Sequence, residues 1–293
     1  MSFPHFILVA VPLLTALPMA QEARAPAEQA PRFHALRFDG KRDGALIGTA
    51  AVLLVGSEVF FKEDLAPATC RWCDRAPDGT ETLNRLDRWG RGITGSTGKR
   101  RGTAGTWSNL VGFGVLPLGT LGAQYALSRN AGASPDIFFQ DAGILVETVL
   151  LSSLVNQTTK FIAGRERPFV HVLPEAQKPL TDHPADNNLS FYSGHTSMAF
   201  SLVVSAGTVA HLRGYPHRQW IWAVGLPMAT SVGLLRMGAG KHYLTDVAVG
   251  AALGTASGIA LPWLLHGRTR PAPSSLSLQV TGGPRGAALS GRF

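Results

Sequence analysis

Residues 243–265 read YLTDVAVGAALGTASGIALPWLL, and this stretch decides the fold class. After its opening turn it holds no charge over a run long enough to cross a bilayer as a helix. Its small residues suit close contact between helices. Working outward, five more apolar segments occur at 44–61, 107–128, 136–159, 195–212 and 219–237. Sustained period-two alternation is missing from all of them, so helix is the expectation throughout. Segment 136–159 carries Asp136, Asp141 and Glu147 and reads as a helix buried among other helices, and segment 44–61 carries Glu58. The expected architecture is therefore all-α, a bundle of six helices embedded in a membrane.

The bulk numbers agree. The 293 residues are 45% apolar and 16% charged, with 33 glycines and a net charge of +8. The positive balance favours anionic partners. Nucleic acid is excluded as the first reading, because the basic residues are scattered without interleaved aromatics. A membrane surface or a phosphorylated substrate fits better. Residues 1–20, with an apolar run from Phe6 to Leu17 ahead of Pro18-Met19-Ala20, read as an export signal or a retained anchor. Residues 21–43 form a lead-in rich in Ala, Pro and charge, 44–266 the helical domain, and 267–293 a basic tail that ends as a small hairpin or as disordered chain. Cys70 and Cys73, in CRWCD, form a local disulfide in an exported chain or remain ordinary thiols. Two loops are long, 62–106 and 165–194, and the second is a candidate lid facing the substrate.

Three clusters lie at the ends of these segments. The first is Lys160, then Arg167-Pro168; the second is Tyr192-Ser193-Gly194-His195; the third is Arg236, His242 and Asp246. His242 and Asp246 stand four apart, so on a helix they share a face, and the carboxylate can fix the imidazole tautomer for nucleophilic attack. Ser193 and Gly194 open a helix whose N-terminus offers free N–H groups to an anion, with Ser193 donating to the anion or capping the helix. His195, at that helix start, is placed to protonate a leaving oxygen. Arg167 and Arg236 supply planar guanidinium forks and Lys160 a point charge.

In order and spacing the three clusters resemble the signature of the type 2 phosphatidic acid phosphatase (PAP2) superfamily, which includes lipid phosphate phosphatases, class A acid phosphatases and vanadium haloperoxidases. The resemblance implies that His242 is a nucleophile forming a phosphohistidine, that Asp246 orients it, and that His195 is the general acid. It further implies that Lys160, Arg167, Ser193, Gly194 and Arg236 bind the phosphoryl group without a metal or other cofactor. Two positions depart from the pattern: Tyr192 stands where the family usually has Pro, and Leu235 where it usually has Ser. The expected activity is hydrolysis of a phosphomonoester or diphosphate of a membrane lipid, in a bacterial inner membrane with the site facing the periplasm. A soluble periplasmic acid phosphatase and a non-catalytic lipid-phosphate carrier are the alternatives.

Overall fold

The computed structural model describes residues 33–94, 98–269, 277–283 and 286–292. The export signal expected at 1–20 lies outside the described residues. From Phe33 the chain runs along the bundle, with His34 N donating to the Arg213 carbonyl and Leu36 bridging Arg268. Asp39 then caps α1 (Gly40–Val59), its carboxylate accepting from the N–H groups of Lys41 and Arg42.

α2 (Lys62–Leu65) is a single turn, followed by the loop that holds Cys70 and Cys73, which are joined as a disulfide. α3 is Arg85–Thr94 and α4 is Gly98–Asn109. A π-helical turn, Leu110–Val115, links α4 without a break to α5 (Leu116–Asn130). α6 (Pro135–Ala163) starts with Asp136 in its first turn, where the helix dipole favours a carboxylate. It stops at Gly164, whose φ of +56° is left-handed backbone suited to glycine. α7 (Pro168–His171) is another single turn. The rest of the 165–194 loop carries two short 3-10 turns, Glu175–Leu180 and Pro184–Asp186. α8 (Gly194–Arg213), α9 (Gln219–Gly238) and α10 (Leu244–His266) complete the domain.

Each apolar segment of the sequence is thus helical. Short helices beside the long ones raise the number above the six expected. The tail forms an antiparallel hairpin, β1 (Ser277–Gly283) with β2 (Gly286–Arg292), Ser277 paired with Arg292.

α8 is the axis of the bundle, buried along most of its length by neighbouring helices. α10 lies against it through Gly250, Gly254 and Gly258, one glycine every fourth residue. A Cβ on Gly250 would come within 2.7 Å of the Ser193 carbonyl, and one on Gly258 within 2.8 Å of Val204. The absence of side chains lets the two backbones touch. Two of the polar clusters that hold the interior include α6 residues. Asp141 accepts from Arg213 Nε (2.8 Å), Tyr215 Oη (2.8 Å) and Gln124 Nε2 (3.0 Å). The second, around Glu147 and His266, is taken up below.

Among the described residues, four helical stretches are long and apolar enough to cross a membrane: Arg100–Asn130, Pro135–Ala163, Gln219–Gly238 and Leu244–His266. Their outer faces expose Leu118, Val155, Ile162, Trp220, Leu234 and Leu264. An apolar surface of this extent belongs to a protein embedded in lipid.

Candidate active site

The three sequence clusters meet at one end of the bundle. The π turn, the left-handed exit from α6, the start of α8, the end of α9 and the start of α10 all open there. Between them lies a cavity of 340 Å³ lined by Lys160, Arg167, His195, Arg236 and His242, with Lys241 at its edge.

His242 is buried, and its Nδ1 lies 2.7 Å from the Ser190 carbonyl. A carbonyl only accepts, so Nδ1 carries the proton and Nε2 keeps its lone pair. Burial, then the charges of Arg236 and Arg167, push the His242 pKa well below the ordinary histidine value. The ring is therefore neutral, with a lone pair on Nε2.

Asp246 does not touch His242 in the way helical spacing predicts. Its Oδ2 is 3.9 Å from His242 Nδ1. α10 begins at Leu244, so His242 precedes the helix and the i, i+4 rule does not reach it. Asp246 instead sits at the third helical position. Its Oδ2 accepts from the Tyr243 N–H (2.9 Å), one half of a capping box, and from Ser190 Oγ (2.6 Å). The carboxylate thus acts on His242 at one remove, by fixing the residue whose carbonyl holds the ring.

Asp246 Oδ1 accepts from Arg165 Nη1 at 2.6 Å. Arg165, which sequence reasoning passed over, is fully buried. Its Nε donates to Asp74 (3.0 Å) and its Nη2 to Asp87 (2.7 Å). Its guanidinium carbon lies 4.2 Å from the ring centroids of both Trp72 and Tyr243. Burial works against the charge, but the carboxylates, Asp246 foremost, hold the Arg165 pKa above its usual value. The disulfide loop supplies two of these contacts: Trp72 lies inside it, and Asp74, the next residue after Cys73, adopts a φ of +52°.

The phosphate-binding candidates divide. Arg167 and Arg236 are buried, and the Nε of each has no hydrogen-bond partner among the described residues. Arg167 Nη1 stands 3.7 Å from Asp186, and Arg236 Nη1 donates to Ser108 Oγ at 3.3 Å. Buried donors of this kind call for an acceptor. Lys160 Nζ lies only 3.0 Å from where a Cβ on Gly194 would be, and Asn156 Oδ1 only 2.7 Å. Glycine at 194 is what lets Lys160 reach the N-terminus of α8. Ser193 neither caps that helix nor opens to the cavity: it is fully buried, and its Oγ accepts from Thr196 at 2.9 Å. Tyr192 is buried too, and its carbonyl accepts from Asn156 Nδ2 at 2.8 Å.

His195 faces the cavity. Its Nε2 is 2.9 Å from Asn109 Oδ1, and its ring meets Phe113 edge-on at 4.7 Å. Asn109 immediately precedes the π turn and Phe113 lies within it, so this local widening of the helix positions both partners. The loop expected to act as a lid closes one wall: Asp186 pairs with Lys62 at 2.6 Å, and Lys62 pairs with Glu58.

Three buried or half-buried cations around a neutral, oriented histidine, with a second histidine beside it, can hold a tetrahedral oxyanion and attack its centre. Residues 141–270 match the model of the PAP2 superfamily. The chain is similar to the bacitracin transport permease protein BcrC of Bacillus licheniformis, with 38% identity over 97 residues, 33% of this chain. It spans 42% of that relative's length. Among solved structures it is similar to LpxE of Aquifex aeolicus (22% identity, 61% of this chain and 95% of that one, TM-score 0.43). It is also similar to the first transmembrane PAP2 type phosphatidylglycerolphosphate phosphatase from Bacillus subtilis (17% identity, 75% and 93%, TM-score 0.38). The part of the chain that matches the PAP2 superfamily model thus contains all three clusters.

Proposed function

We propose that this protein is a membrane phosphatase that hydrolyses a phosphomonoester or diphosphate of a lipid through a phosphohistidine on His242. The observation that carries the reading is the cavity itself: the unpartnered Nε groups of Arg167 and Arg236 and the ammonium of Lys160 surround a neutral imidazole.

In the first step His242 Nε2 attacks phosphorus in line. The P–N bond forms, the P–O bond to the leaving group breaks, and His195 gives that oxygen a proton. Lys160, Arg167 and Arg236 take up the charge on the remaining phosphoryl oxygens. In the second step water attacks phosphorus, its proton passes to His195, and the P–N bond breaks to release phosphate and neutral His242. The side chains supply the charge stabilisation that a metal supplies elsewhere.

Two features support a lipid substrate. The helices around the cavity face outward with apolar side chains, and Phe113, at the cavity wall, is 58% exposed. An acyl or isoprenoid chain would lie along such a wall while its phosphate entered the cavity. A periplasm-facing site is supported by the disulfide loop, which packs at the same end of the bundle. Such bonds persist in oxidising compartments.

The test is single-turnover reaction of detergent-purified protein with a radiolabelled lipid phosphate. An acid-labile, base-stable label on His242, absent from His242→Ala, is the expected result. Phosphate release by a folded His242→Ala variant sinks the proposal. Tight binding without turnover across lipid and aryl phosphates would identify a carrier instead. A reporter fused after residue 180 tests the orientation.

A further inference from the structure

α1, α6 and α10 meet a second time, away from the cavity. His266 ends α10, about 33 Å along the helix from its start beside His242, at 1.5 Å per residue. Asp43 from α1, Glu147 from α6 and His266 from α10 come together there, all buried to within 1%. One potential ligand atom from each lies within 4.8 Å of the others.

The polar groups of this cluster are left open in a particular way. His266 Nδ1 lies 2.9 Å from the Arg37 carbonyl, so Nδ1 bears the proton and Nε2 presents its lone pair inward. Nε2 points at Glu147 Oε2 from 3.3 Å. Neither His266 Nε2 nor either oxygen of Glu147 has a hydrogen-bond partner among the described residues. Orphaned acceptors at this depth are costly unless something satisfies them. An imidazolium at His266 would answer Glu147 Oε2 and still leave Glu147 Oε1 bare.

A cation answers all three atoms. Two ligands about 2.0 Å from one tetrahedral metal ion stand about 3.3 Å apart, which is the His266–Glu147 separation. The surroundings also resemble those of a metal ligand set. The non-ligating nitrogen of His266 is fixed by a backbone carbonyl, and its ring stacks on Phe38 with centroids 6.2 Å apart. Asp43 is anchored by the Asp39 N–H (2.8 Å) and Arg42 Nε (2.5 Å).

We propose that Asp43, Glu147 and His266 bind a divalent transition-metal ion of the zinc type, which clamps α1 to α6 and α10 at the end of the bundle remote from the phosphate cavity. Imidazole with carboxylates is the donor set of such ions. The ion takes no part in the phosphoryl chemistry.

The experiment uses the full chain in detergent. Elemental analysis of protein purified without chelators is expected to find about one equivalent of zinc-type metal. Stripping with a chelator should lower the Tm, and adding back Zn²⁺ should restore it by several degrees. Glu147→Gln and His266→Ala should lose the metal and the Zn²⁺ response, while His242→Ala keeps both, which separates this inference from the fate of the phosphatase reading. Metal-free protein whose Tm ignores Zn²⁺ overturns the proposal and identifies the cluster as an imidazolium–carboxylate pair. Metal retained at full stoichiometry in both cluster variants overturns it too.

Discussion

Arg165 and Arg167 are two residues apart, both buried, and opposite in their surroundings. Arg165 is enclosed, with three carboxylates at its nitrogens and an aromatic ring on each face. Arg167 has one distant carboxylate at 3.7 Å, a buried Nε with no hydrogen-bond partner among the described residues, and a place in the cavity wall. A satisfied buried charge is architecture: it fixes Asp246, and through Ser190 the ring of His242. An unsatisfied one is, in the proposed function, a binding group, whose desolvation is answered when an anion arrives.

The comparison can be broken or sharpened experimentally. The largest effect is expected at the centre both arginines serve. His242→Ala should lower turnover by on the order of 10⁶-fold, as removal of a nucleophile does, with binding of vanadate retained. Next, Arg165→Ala strands three buried carboxylates and should cost about 3–5 kcal/mol of stability, read as a fall in Tm. Arg167→Ala should instead leave Tm nearly unchanged and lower kcat/KM by about 10²–10³-fold. If the two variants behaved alike in both measurements, the division between enclosed and open cation would fail. Cys70→Ser with Cys73→Ser opens a very short loop and should cost about 2 kcal/mol, with a smaller loss of activity as Trp72 and Asp74 loosen around Arg165.

The smallest effect concerns pH. Burial, then Arg167 and Arg236, bring Lys241 down to about 8. Below that value Lys241 is cationic at the cavity edge, and above it neutral, so vanadate affinity should weaken severalfold as pH rises through 8. Lys241→Met should remove that step. The sign for stability is the reverse. The unfolded chain holds this proton more tightly, so the penalty is fully present below about 8 and stability rises with pH from there toward the ordinary lysine value.

Much of the site was legible because its chemistry needs particular residues at helix ends. Lys160, Arg167, His195, Arg236 and His242 stand out from the apolar runs they terminate, and the structure gathers all five around one cavity. Asp246 was legible as a residue but not as a contact. Its spacing implied a shared helix face with His242, whereas its position as a capping carboxylate turned it toward the backbone of Tyr243. Ser193 offered two roles: its side chain does not cap α8, and its buried Oγ accepts from Thr196. Asn109, Ser190, Asp74, Asp87 and Arg165 gave no signal. Each is ordinary in its own stretch, and the bonds of Arg165 span about 80 to 90 residues.

The sequence by itself determined the helices, through uninterrupted apolar runs that can satisfy backbone hydrogen bonds in lipid only by coiling, and it determined the chemical groups at their ends. Only the tertiary structure decided which cation faces an anion and which is enclosed. That choice depends on carboxylates and rings brought in by distant loops, and local periodicity carries no record of them. The same holds for the cluster of Asp43, Glu147 and His266, three unremarkable residues until α1, α6 and α10 pack together and leave their oxygens and nitrogen facing one point.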